Sequence, residues 1–230
     1  LDQKIILICQ FFIPKNEERY KEVKDTLKRN VENKNINTIL LLNEKIYSKE
    51  EMGIDNKKIR QINIGKRMSY YDAFKQIQKE IEGKGYYIIA NNDIFFDDTI
   101  LNVHYGTLSQ NPSVQALLRY EYRGENDLKT CDIFRGTNAP KTNPPAKNSQ
   151  DVWIFHSNTI KSLNNLEKYD FMLGMPGCDN SIAYKLNNDN ITIYNEPYKL
   201  RTYHNHRSNS RTQTKKDTIK GPYVFITPII

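Results

Sequence analysis

No apolar run in this chain approaches the ~20 residues that a membrane-spanning helix needs. The opening LDQKIILICQFFIP has neither the basic n-region nor the small-residue cleavage site of a secretory signal. It begins on Leu rather than Met, so a segment cut from a longer protein is expected. Cysteine is scarce: Cys9, Cys131 and Cys178 are odd in number and far apart, with no CxxC and no zinc spacing. That excludes a disulfide framework and reads as reduced thiols in a cytosolic protein. No P-loop, GxGxxG or nucleophile elbow occurs, and no cysteine shows a paired histidine, so nothing supports nucleophilic catalysis.

What is present is a core and a positive charge. The 230 residues are 38% hydrophobic, enough for one large domain, alone or with an extension. The net charge of +7 fits an anionic partner: nucleic acid, a membrane surface or a phosphorylated small molecule. Much of the excess lies in RTYHNHRSNSRTQTKK near the C-terminus. The remainder is mixed in sign, which argues against a nucleic-acid footprint over the whole domain.

KIILICQFFI (4–13) reads as a buried strand ended by Pro14. A helix follows, capped by Asn16, with Tyr20, Val23, Leu27 and Val31 on one face. INTILLLN (36–43), IRQINI (59–64) and YYIIA (86–90) read as further strands. Between the last two lies a helix capped by Ser69, with Tyr70, Phe74, Ile77 and Ile81 as its stripe and Gly83 as its stop. A helix around 98–109, a strand at 114–119, a long polar loop at 124–150, a strand at 151–156, a helix at 177–189 and late strands at 191–194 and 198–203 complete the pattern. The alternation of near-continuous apolar strands with helices predicts an α/β fold: a mostly parallel central sheet with helices on both faces. Ligands of such sheets bind outside the C-terminal strand ends.

Asn91-Asn92-Asp93 caps one of those ends. On an extended strand, residues 91 and 93 point the same way, so one amide and one carboxylate could form half a site for Mg²⁺ or Mn²⁺. The same residues equally suit a strand-to-turn transition. Arg67, in GKRMSYYDAF, precedes a helix N-terminus where cation and free amides can meet a pyrophosphate, or is a surface arginine beside a capped helix. Asp179, in GCDN, sits at a helix start as a base or as a dipole-stabilising acid. His204 and His206 share a face if YHNHR is extended. Trp153, Tyr120 and Tyr122 offer a ring platform for a sugar or simply core.

The short acidic motif after an apolar strand resembles that of GT-A-fold glycosyltransferases. With NSQDVWIF (148–155) and FMLGMPGCDNSIAYKL (171–186), the chain resembles such enzymes encoded by large DNA viruses, including chlorella viruses, and by some bacteria, over roughly residues 4–206. Asn91 stands where many members carry Asp. The resemblance implies a single GT-A-type, nucleotide-diphospho-sugar transferase domain over 1–206, with a basic extension over 207–230 as a candidate lid. It implies transfer of a sugar from a nucleotide-sugar, UDP first, to a glycan or other acceptor hydroxyl, metal-dependent and inverting. Asp93, Asn91 and His204 would hold Mn²⁺ or Mg²⁺. Arg67, Asn91, Asn92, His204 and Arg207 would contact the nucleotide-sugar, with Arg211, Lys215 and Lys216 in the covering tail. Asp179 would be the base with Asp151 next in line, and Trp153 and Tyr120 would meet the acceptor. No nucleic acid, no transmembrane segment and a cytoplasmic place, the host cytoplasm if viral, complete the expectation. The alternatives are a basic nucleic-acid binder and a nucleotidyltransferase, the latter without its glycine-rich signature after the first strand.

Overall fold

The computed structural model describes residues 3–81, 83–208 and 215–229. Strands β1 (Lys4–Cys9), β2 (Thr38–Asn43), β3 (Ile59–Asn63) and β4 (Gly85–Ala90) alternate with helices α1 (Glu17–Glu32), the short α2 (Lys49–Met52) and α3 (Tyr70–Glu80). Then come β5 (Ile94–Phe96), a 3-10 helix at Asp98–Tyr105, β6 (Ser113–Leu118), β7 (Tyr120–Glu121) and β8 (Asp132–Ile133). The chain continues through β9 (Gln150–His156), α4 (Ser157–Ser162), α5 (Cys178–Asn188), β10 (Thr192–Tyr194) and β11 (Thr202–His204).

Seven strands form the central sheet in the order β10-β6-β9-β4-β1-β2-β3. Strand β9 alone runs against its neighbours, β4 and β6; the other pairings are parallel. Side chains alternate between two cores because successive strand residues face opposite ways. Leu7, Ile39, Leu41, Ile88 and Ile154 meet Val23, Leu27 and Val31 of α1 on one face. Ile8, Leu40, Leu42, Ile89 and Phe155 meet Phe74 and Ile77 of α3, Ile160 of α4 and Ile182 and Leu186 of α5 on the other. Both faces are apolar and both are covered, as the predicted α/β class requires.

The caps agree with the sequence. Asn16 accepts from the Arg19 amide, and Ser69 makes a reciprocal capping box with Asp72. Most boundaries move by one or two residues, and three elements depart further. β1 stops at Cys9, and Gln10–Ile13 leave the sheet with Phe12 exposed. The helix expected at 98–109 is the 3-10 segment, and the late strand expected at 198–203 is shorter and shifted to β11, ending at His204.

A second, four-stranded sheet, β5-β11-β7-β8, was not expected. It sits where the chain leaves β4. There β11 pairs antiparallel to β5, with His204 opposite Ile94, and parallel to β7, with His204 opposite Glu121. This small sheet brings residues from 94, 121 and 204 to one place.

Candidate active site at the sheet edge

The parallel strands β4 and β6 end at the same edge of the sheet. Antiparallel β9 begins there, because Val152 lies beside Ala90 and Gln150 beside Leu118. Asp151 therefore reaches the edge from the start of its strand. Across β1 from β4, the chain order reverses, which opens a crevice between the two strand ends. Gln10, Phe12, Arg67, Asn91, Asn92 and Leu173 line it.

Beyond β4 the chain turns, and the Ile94 amide donates to the Asn91 carbonyl at 3.2 Å. The turn separates two side chains that the sequence had placed together. Asn91 swings toward β9 and donates to Asp151 Oδ1 at 2.9 Å. Asp93 points the other way, into a group with His204 and His206 whose ligating atoms all lie within 4.8 Å. Asn91 is thus not beside Asp93, and its expected share in a metal shell is corrected on that ground: residues 91–93 are not extended.

Asp93 is buried. Its Oδ2 receives Arg19 Nη2 at 2.5 Å and lies 3.2 Å from His204 Nε2 and 3.7 Å from His206 Nδ1. Its Oδ1 is also buried and has no hydrogen-bond partner among the described residues. Burial alone would raise this carboxyl. The charge and hydrogen bonds of His204, then His206 and Arg19, outweigh it and hold Asp93 well below its ordinary 3.8. His204 is the converse: burial lowers its proton affinity, but Asp93 and Glu121 outweigh that and hold it up to about 9.

Glu121 Oε2 sits 3.2 Å from His204 Nδ1, and its Oε1 accepts from Arg119 Nε at 2.7 Å. Arg119 Nη1 reaches Asp151 Oδ2 at 2.5 Å. Burial would raise Glu121; His204 and Arg119 prevail and lower it to about 2. Charges therefore alternate along one buried path: Asp151, Arg119, Glu121, His204, Asp93, Arg19. Glu22 closes it, pairing with Arg19 at 3.0 Å and accepting from the backbone amides of Arg207 and Ser208 at 2.9 and 2.7 Å. Arg19, Glu22, Arg119 and Glu121 are absent from the sequence-based site. The signal available was weak: Arg19 and Glu22 are spaced as an ion pair on a predicted helix, nothing more.

Asp179 lies in the first turn of α5, half-buried. Desolvation first, then the negative charge of Asp151, push its carboxyl well above 3.8, against the Cys178 thiol that donates to its Oδ1 at 3.2 Å. A carboxylate so raised can take a proton nearer neutrality. All three cysteines are buried and free.

Two expected acceptor contacts are corrected. Trp153 is fully buried at the centre of the sheet, edge-to-face with Tyr70 at 6.4 Å, and offers no face to a sugar. Tyr120 is buried against Tyr203 at 5.8 Å in the core of the small sheet. Both faces of β9 are covered, so its ring cannot reach a surface, and the Tyr120 ring lies on the core side of the small sheet. Arg67 projects at the crevice and donates to the Leu173 carbonyl at 2.9 Å. Arg207 lies outward, over the Tyr122 ring at 5.9 Å, not against Asp93.

Arg211 lies outside the described residues, as do 209–214 as a whole, so the expected covering tail is not described there. The segment that follows is held down. Ile219 donates to the Pro176 carbonyl at 2.8 Å, Val224 to Asn180 at 3.1 Å and Ile226 to Lys147 at 3.0 Å. It crosses the start of α5 beside Asp179. Gly177 makes the crossing feasible: its φ is +79°, and a Cβ there would stand 2.8 Å from the Ile219 carbonyl oxygen. Gly177→Ala is expected to cost roughly 1–2 kcal/mol from the left-handed backbone alone and to lift the strap. Limited proteolysis should then cut within 218–229 faster than in the parent; an unchanged digest counts against the contact.

No protein-family model and no curated protein matches the sequence. Solved structures do match the fold. A structure of GalNAc-T7 with UDP, GalNAc and Mn²⁺ superposes with a TM-score of 0.54 at 12% identity, over 90% of this chain and 44% of that one. The chain thus spans less than half of that neighbour. A 4-diphosphocytidyl-2C-methyl-D-erythritol synthase from Anaerococcus prevotii superposes with a TM-score of 0.50 at 14% identity, over 94% and 92% of the two chains. The fold is that of the nucleotide-diphospho-sugar transferases, GT-A-like, shared by glycosyl- and nucleotidyltransferases.

Proposed function

We propose that this chain is a metal-dependent glycosyltransferase that moves a sugar from a nucleotide-diphosphate sugar, UDP first, to an acceptor hydroxyl with inversion. The observation that carries the reading is the Asp93–His204–His206 group, with its unpartnered buried Oδ1, at the tip of β4. It adjoins the crevice at the switch point, where a nucleotide would lie.

The donors fit a divalent cation. One carboxylate with two imidazoles suits Mn²⁺ better than Mg²⁺, which favours all-oxygen shells. Arg19 and the His204 proton hold Asp93 ionised, and a cation entering the group would displace that proton. Once bound, the cation would neutralise charge growing on the leaving diphosphate. Asn92 and Arg67 line the crevice on the nucleotide side.

Asp179 is the base. It removes the acceptor hydroxyl proton as that oxygen attacks the anomeric carbon. The bond from that carbon to the diphosphate oxygen breaks, and its electron pair leaves with the diphosphate. Asp151 keeps Asp179 basic through its negative charge and is itself held by Arg119 and Asn91.

The nucleotidyltransferase reading has the fold in its favour but not the first loop, where Gln10–Lys15 contains no glycine. The nucleic-acid reading is weakened by burial of Tyr47, Tyr70, Tyr86, Tyr87, Tyr169 and Tyr203, whose rings cannot stack on bases.

The test is a thermal-shift series with UDP-, GDP-, dTDP- and CMP-sugars, in Mn²⁺ and in EDTA. At 100 times its Kd a donor stabilises the fold by ~2.7 kcal/mol. The expected result is a shift with one nucleotide class in Mn²⁺ that EDTA removes. No shift with any of them overturns the proposal.

A further inference from the structure

A second cavity, larger than the crevice, lies apart from it. It has a volume of about 480 Å³ and is floored by His204, His206 and Arg119 and walled by the chain from Asp132 to Lys141. That volume lies within the ~300–1,000 Å³ of small-molecule sites. Its lining is cationic, and the ion pairs show how much of that charge is free. Arg119 is engaged by Glu121 and Asp151, and Lys141 by Asp132 at 2.8 Å. Arg123 and Arg135 line the same cavity and form no ion pair among the described residues. Glu125 accepts from the Arg123 backbone amide at 2.6 Å, and Arg135 donates to the Asn143 carbonyl.

The wall is shaped, not loose. Phe134 lies under the Arg119 guanidinium at 4.0 Å, and its amide donates to the Arg119 carbonyl at 3.0 Å. Gly136 and Asn138 take φ values of +120° and +58°, and the Ala139 amide closes the turn on the Gly136 carbonyl at 3.2 Å. Two guanidiniums thus face a cavity whose floor includes Arg119 of the Asp151–Arg119 pair; Glu125 feels the charge of Arg123, but neither guanidinium is held in an ion pair among the described residues. A planar guanidinium fork matches carboxylate and phosphate oxygens.

We infer that this cavity holds the acceptor and that the acceptor is an anionic sugar, carrying a phosphate or carboxylate that Arg123 and Arg135 bind. The inference rests on the transferase reading for the word acceptor; the anion site rests on the two arginines.

Calorimetric titration tests it. Glucose 6-phosphate, glucuronate and glucose are each titrated into the whole chain, free and saturated with UDP and Mn²⁺, and into Arg123→Gln and the Arg123→Gln/Arg135→Gln pair. At least one anionic sugar should bind about tenfold or more tighter than glucose, and the paired variant should lose about tenfold. The two probes separate phosphate from carboxylate recognition. Arg123 is exposed, so the single variant, checked for an unchanged melting temperature, guards against misfolding of the pair. Equal binding of glucose, binding of neither anionic probe, or binding that ignores both substitutions overturns the inference. Displacement by UDP and Mn²⁺ also overturns it, by assigning the cavity to the diphosphate. Failure of UDP with Mn²⁺ to bind, beside arginine-dependent binding of an anionic sugar, overturns the transferase reading and leaves the anion site standing.

Discussion

Asp179→Asn is expected to bind UDP and Mn²⁺ as the parent does and to turn over ~10²–10⁴-fold more slowly, the usual contribution of a general base. The substitution keeps the shape and removes the basic atom. Stability provides the control. The Asp179 carboxyl holds its proton more tightly in the folded chain than in the unfolded one. Its contribution to stability is therefore complete below an unfolded value of about 3.8 and is lost as pH rises through the raised folded value. Asparagine is neutral throughout, so at neutral pH the variant should melt no lower than the parent. Any advantage should shrink as the pH falls toward 3.8. Normal turnover with a lowered melting temperature would falsify the role of base and leave Asp179 a helix-start acid.

Asp93→Asn should abolish the Mn²⁺-dependent part of nucleotide binding. The amide presents one oxygen and no charge to a position that now offers a carboxylate among two imidazoles and a guanidinium. The ~2.7 kcal/mol gained by the parent at 100 times Kd should disappear. The substitution also leaves Glu22 as the one acidic partner of Arg19 and Glu121 as the one acidic partner of His204 among the described residues. Removing one partner of a buried pair costs about 3–5 kcal/mol, and both pairs of Asp93 are about nine-tenths buried. Urea unfolding in EDTA measures that loss, and manganese titration followed by electron paramagnetic resonance measures the cation directly. A variant that binds Mn²⁺ like the parent removes Asp93 from the cation site.

The fold was largely legible because both faces of the sheet are buried. Such strands are written as unbroken apolar runs, and their ends show as Asn, Asp, Gly or Pro. The position of Asp93 at a strand tip followed from the same signal. Its partners did not. His204 is 111 residues further on in the sequence, and the pairing of β5 with β11 that brings them together is a three-residue match without pattern. Arg19 and Glu22 lie outside the apolar stripe of Tyr20, Val23, Leu27 and Val31, so the pattern does not mark them as buried. They are buried because the chain at 205–208 packs across that side, with its amides and carbonyl answering theirs. Asn91 was paired with the wrong acid because one hydrogen bond, Ile94 to Asn91, converts a strand end into a turn. Trp153 and Tyr120 failed as ring platforms for a simpler reason: a ring on a strand covered by packing cannot meet a ligand, and the residue type does not tell covered from open.

The reversed strand β9 has a consequence for how this site can change. Because β6 ends and β9 begins at the ligand edge, the entire passage from Arg119 to Ser149 is a single excursion that leaves the sheet and returns to it on that edge. It contributes the cavity wall at 132–141 and none of the Asp93–His204–His206 group. The part of the excursion beyond β8, from Arg135 to Pro145, could therefore be exchanged as a cassette. Lengthening or recomposing it would retune the cavity while β4, β11 and α5 keep their places, and each exchange would change what is accepted without altering how the bond is made.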